Sequence, residues 1–101
     1  MRTLLFFDLP SVTKGDKKNH SKFVKEIKKM GFIMMQESVY VKLSLNDVVA
    51  LQTISRVEKI LPPSGNVSTL TITEKQFSKI NHMIGEFYTD ILQNEERLVE
   101  L

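Results

Sequence analysis

The sequence predicts a single α+β domain in which four strands and two helices follow the order β-α-β-β-α-β, and three observations carry that expectation. An almost unbroken apolar run spans Thr3 to Leu9; two later segments place apolar residues at helical spacing; and Val39 to Leu45 alternates apolar and polar residues with period two. At 101 residues the chain has room for one core and not for two.

Each element follows from its own residues. Thr3 to Leu9 holds Leu-Leu-Phe-Phe before Asp8, the pattern of a central strand covered on both faces, and Pro10 ends it. A helix from about Asp16 to Met30 carries His20, Phe23, Val24, Ile27 and Met30 on one face, and Gly31 suits the left-handed residue that closes it. Phe32 to Gln36 and Val39 to Leu45 read as two strands joined at Glu37-Ser38. Asn46 is an N-cap for a second helix with Leu51, Ile54, Val57 and Leu61 on its inner face, stopped by Pro62-Pro63. After the Ser64-Gly65-Asn66 turn, the β-branched run Val67 to Thr73 is the fourth strand. Thr73 and Gln76 form a capping-box pattern opening a short helix with Phe77 and Ile80, and Arg97 to Leu101 is expected as a last edge strand. This order is the split βαβ arrangement called ferredoxin-like, here a sandwich with an added short helix and a C-terminal strand. Residues 1–80 are the expected core, and 81–101 an extension suited to dimer or partner contact.

Composition narrows the function. With no cysteine there is neither a disulfide framework nor a thiolate metal site, and the cytoplasm is the expected compartment. The apolar N-terminal run is short and contains Asp8, so it reads as a strand and not a signal peptide, and no stretch approaches the roughly 20 apolar residues of a membrane span. The net charge of +2 says little by itself, but the charges are segregated. Seven lysines fall between Lys14 and Lys29 against Asp16 and Glu26, while residues 86–101 hold five acids and one base, Arg97.

Two constellations bear chemistry. Asp8 is a carboxylate after four apolar residues and before a proline, so it must reach the surface or meet a cation. One carboxylate is a poor magnesium site, because that ion takes one or two carboxylates with waters and substrate phosphates; two copies of Asp8 across a two-fold axis would supply the pair. The plainer role is a side-chain cap on the following loop. The second constellation is Lys14, Lys18, Lys22, Lys25 and Lys29, separated by four, four, three and four residues. That spacing makes a row of ammonium groups opposite Phe23 and Ile27, suited to a phosphate backbone or to a solvated outer face. His20 and His82 lack partners at metal-ligand spacing, there is no Gly-x-Ser-x-Gly elbow, and the four glycines are isolated.

The segments Phe6-Phe7-Asp8-Leu9-Pro10, Gly31-Phe32 with Gln36-Glu37-Ser38-Val39-Tyr40, and Thr71-Ile72-Thr73-Glu74-Lys75-Gln76-Phe77 together resemble the CRISPR-associated Cas-two family, in its type II branch. The resemblance lies in their order and spacing over nearly the whole chain. It implies a homodimer that holds double-stranded DNA between dimers of the Cas-one integrase during spacer acquisition, with strand transfer performed by the integrase. It also implies an alternative, a magnesium-dependent endonuclease on RNA or DNA, with Asp8 as catalytic residue and metal ligand. The terminal residues Arg97, Leu98, Val99 and Leu101 are placed to reach the partner's sheet. This chain departs from its type II relatives in carrying Ser21 and Val24 at positions where arginine is common, leaving basic contacts to Lys22 and Lys25, and in carrying Glu37 where an aromatic residue is usual. A small toxin-like ribonuclease of the same topology is the remaining reading.

Overall fold

β1, Arg2–Asp8, is the strand on which the rest assembles in the computed structural model, which describes residues 1–85. It pairs antiparallel with β3 on one side, from Arg2↔Leu43 to Phe6↔Val39, and with β4 on the other, from Arg2↔Ile72 to Asp8↔Asn66. The sheet order is β2-β3-β1-β4, with β2 at Ile33–Gln36, β3 at Val39–Leu43 and β4 at Asn66–Ile72. That order, with helix crossovers between β1 and β2 and between β3 and β4, is the ferredoxin-like arrangement. The C-terminal strand expected at Arg97 to Leu101 lies outside the described residues.

Because β1 is central, its alternate side chains enter two cores. Leu5 and Phe7 join Phe23, Ile27, Phe32, Tyr40 and Val57 under the helices, whereas Leu4 joins Met35, Val41 and Phe77 on the opposite face. The same two-sided cover explains why β3 does not bury one face only, as its alternation suggests. Tyr40 points to the helices, Val41 to the other layer, and both are buried.

α1, Lys14–Lys29, begins two residues before the expected position because Thr13 caps it. The Thr13 hydroxyl accepts from the Asp16 amide at 3.0 Å, and the Asp16 carboxylate accepts from the Thr13 amide at 3.1 Å. This reciprocal pair draws Gly15 into the first turn. At the other end the Gly31 amide donates to Lys28 and the Phe32 amide to Ile27, with Gly31 at φ +102°, so the helix closes in a Schellman turn that needs glycine.

α2, Asp47–Glu58, starts at the predicted cap, Asn46, but its inner face is rotated from the expected one. Ala50, Thr53 and Val57 are buried, while Leu51 is 64 % exposed. Small residues let the helix approach the sheet, and the Thr53 hydroxyl satisfies itself on the Val49 carbonyl at 3.1 Å. On the far face, α3, Glu74–Ser78, is fixed by Phe77 and by Arg2, whose Nε lies 2.9 Å from a Glu74 oxygen and whose guanidinium sits 4.5 Å from the Phe77 ring centre. No helix among the described residues is long and apolar enough to cross a membrane.

Candidate nucleic-acid interface

The end of β1 places Asp8 at the surface. Its neighbour Phe7 donates its amide to the Ser38 carbonyl at 3.1 Å, which holds the β2–β3 turn beside the strand end. Across the other edge Asp8 is in register with Asn66, so the turn before β4 passes close to its backbone. The fit is tight at Gly65. Its φ is +103°, and a Cβ there would stand 2.8 Å from the Asp8 carbonyl oxygen.

Gly65→Ala therefore meets both a left-handed backbone and a backbone clash, and it is expected to cost about 2–4 kcal/mol, a sum of left-handed strain and local displacement. Urea denaturation would measure the loss. A change below about 0.5 kcal/mol, the range of ordinary surface substitutions, would show that the turn has slack.

The Asp8 side chain is exposed and caps nothing: among the described residues it has no hydrogen-bond or ion-pair partner, and the following helix is capped by Thr13 instead. It opens onto a groove of about 520 Å³ shared with Lys17, His20, Glu37 and Ser38. His20 is half-buried, with its ring edge-on to Phe7 at 5.9 Å between centres, so it belongs to the boundary of the core, as expected of a histidine on an apolar helix face.

The structure thus brings to Asp8 residues far from it in sequence, Lys17, His20 and Glu37, none of which spacing alone connected to it. Among the described residues no three His, Asp or Glu side chains stand close enough to hold one metal ion. An unpartnered carboxylate beside an open groove nevertheless fits one ligand of a magnesium ion, whose remaining positions are usually filled by water and phosphate oxygens.

The lysine row is as the spacing predicts. Lys14, Lys18, Lys22, Lys25 and Lys29 are all exposed, and at 100° per residue they fall within roughly 80° of the helix circumference, opposite the buried Phe23 and Ile27. Lys17 and Lys28 flank the row and are exposed too. They widen it into a basic face, a feature visible in the sequence once the helix is projected by angle and not counted by fours. The acids on α1 barely offset it. Asp16 is engaged at the N-cap, and Glu26 lies 3.7 Å from Lys29. The terminal residues Arg97, Leu98, Val99 and Leu101 fall outside the described residues.

Comparison with known proteins gives a consistent picture. The family model described as CRISPR associated protein Cas2 matches residues 1–80. A protein of Treponema denticola named CRISPR-associated endoribonuclease Cas2 is 48% identical over 101 residues, 100% of each chain. Proteins of the same name from Streptococcus mutans and Ligilactobacillus salivarius are 43% and 38% identical over 101 residues, spanning 100% of this chain and 93% and 100% of their own. With its sheet order, its strand-end aspartate and these full-length matches, the chain belongs to the CRISPR associated protein Cas2 family.

Proposed function

We propose that this protein is a cytoplasmic homodimer that holds duplex DNA alongside the Cas-one integrase during spacer acquisition. The observation that carries the reading is the basic face of α1: seven exposed lysines on one helix, of which Lys29 pairs with Glu26 at 3.7 Å. Ammonium groups about one turn apart meet phosphates and read no sequence, which suits a scaffold that must accept many different duplexes.

The dimer is supported by the sheet face that α3 leaves open. Leu70 is in register with Leu4, Ile33 with Val41 and Leu43 with Arg2, so all three share that face with Phe6, and each is more than half exposed. A second copy covering this apolar surface would place the two lysine faces outward on opposite sides of the assembly.

The test mixes the full chain with its cognate integrase and a duplex and measures the mass of any complex by sedimentation. A particle containing two copies of this chain, integrase and DNA is expected. A chain that stays monomeric and excluded from the integrase–DNA complex would overturn the proposal.

A second reading rests on the unpartnered Asp8 and on the endoribonuclease name of the relatives. Two Asp8 carboxylates across the dimer axis would hold magnesium, which when bound polarises a phosphodiester and activates water. Lys17 would hold a phosphate in the groove beside Asp8. Under this reading Asp8→Ala abolishes magnesium-dependent cleavage of RNA or DNA by the purified protein, a loss of at least about 100-fold for removal of a metal ligand. Equal cleavage by both proteins would assign the activity to a contaminant.

A further inference from the structure

A second concavity, of about 250 Å³, lies between α1 and the segment that leaves α2. Leu61, Pro62 and Pro63 form one wall, Asn19, Lys22 and Glu26 stand on the α1 side, and Lys59 reaches it from the end of α2. Lys22 is the member of the lysine row nearest to it, since Asn19 and Glu26 lie roughly 60° and 40° around the helix from Lys22, on the side toward the buried Phe23. Two ammonium groups from different helices thus share one rim.

The inside of the concavity serves a phosphate poorly. Glu26 brings negative charge only partly offset by Lys29 at 3.7 Å, the carbonyl end of α2 opens nearby, and the two prolines offer no N–H donor. The rim serves one well. Lys22 and Lys59 are exposed, and among the described residues neither ammonium group has a hydrogen-bond or ion-pair partner. Glu58 precedes Lys59 but does not line the concavity. A run of phosphates crossing above the gap, with one at Lys22 and another at Lys59, meets cations on both sides and stays clear of the acid between them.

We propose that Lys59 extends the DNA-binding face from α1 onto the end of α2, so that the duplex lies across the two helices with its backbone bridging the concavity. The inference rests on the reading of α1 as the DNA-binding face and adds to it a contact that the spacing along α1 does not contain. Because ammonium groups meet phosphates without reading bases, the contact serves every sequence equally. A positive charge at a helix carbonyl end also favours the helix itself, so binding and stability have to be read separately.

Fluorescence anisotropy on the full-length chain, with a labelled duplex over a series of salt concentrations, tests this in Lys59→Gln, Lys22→Gln and Lys79→Gln. The last removes the same charge from the end of α3, on the far face of the sheet. In a dimer, Lys59→Gln is expected to flatten the slope of log affinity against log salt by about 2, one phosphate per copy, equally for duplexes of unrelated sequence and as much as Lys22→Gln does. Lys79→Gln is expected to leave the slope unchanged. A melting midpoint lowered in Lys59→Gln without any change of slope would assign the residue to the helix end alone and overturn the inference. An equal loss in Lys79→Gln would reduce the effect to net charge, with the same consequence. Loss in Lys22→Gln and none in Lys59→Gln would confine the duplex to α1, overturning the inference and leaving the reading of α1 intact; loss in neither would overturn both.

Discussion

Phe23→Ala is expected to remove about 3–5 kcal/mol of stability, the cost of truncating a fully enclosed aromatic ring. Phe23 is 2 % exposed and stands edge-on to Phe7, with ring centres 5.5 Å apart at 82°, so its loss opens a cavity and removes an aromatic contact together. The cavity cannot close cheaply. Leu5, Phe7 and Tyr40 are fixed by the sheet, and Ile27 by the same helix as Phe23 itself. Against a total of roughly 5–15 kcal/mol for a domain, the variant would be folded only marginally. Thermal unfolding would fall by about 4–8 °C for each kcal/mol lost. The comparison must be made at one protein concentration, because an associating chain gains stability by mass action. A loss under 1 kcal/mol would mean that the helix layer is far looser than its burial indicates.

Joint reversal of Lys18, Lys22 and Lys25 to glutamate is expected to have the largest effect on DNA. The three residues occupy the middle of the basic face and are all exposed. In a dimer they present six ammonium groups, and each phosphate neutralised contributes about −0.9 to the slope of log affinity against log salt. Removing six contacts would flatten that slope by about 5, and duplex affinity near 0.1 M salt would fall by at least about 100-fold. The fold should be kept, since all three side chains are exposed. The new acids at 18 and 25 gain Lys14 and Lys29 four residues away, which offsets the like-charge pairs formed at position 22 and with Glu26, each pair being worth about 0.2–0.5 kcal/mol. Unchanged affinity and slope, with a native circular dichroism spectrum, would show that DNA is held on another surface.

Much of the fold was legible because its strongest signals are local. The apolar run Leu4 to Phe7 has no polar face, and the structure puts it at the centre of the sheet with cores on both sides. Gly31, Asn46 and Thr73 mark element ends through backbone chemistry that does not depend on the rest of the chain, whereas α2 ends at Glu58, short of the expected stop at Pro62-Pro63, so that Leu61 lies beyond the helix. The inner face of α2 was not legible in the same way. Counting apolar residues favoured Leu51 and Leu61, but the distance between helix and sheet selects for small side chains, and Ala50 and Thr53 fill that space. A similar limit applies at the strand end. Asp8 stood out as a carboxylate where none is expected, yet its groove with Lys17, His20 and Glu37 is made by three separate segments that meet only after folding. The concavity at Lys59 was hidden for the same reason, and its proline wall reads in sequence merely as a helix stop.

The sheet order also sets a schedule for biosynthesis. The strand made first, Arg2–Asp8, finds its second neighbour only when Asn66–Ile72 has been made, with Arg2 and Ile72 adjacent in the finished sheet. At ribosomal rates of about 5–20 residues per second, the greasy segment Leu4-Leu5-Phe6-Phe7 waits for several seconds with one edge bare. During that interval the nascent chain exposes an unpaired apolar strand edge, and slowing translation between the β3 and β4 codons should raise the fraction lost to aggregates.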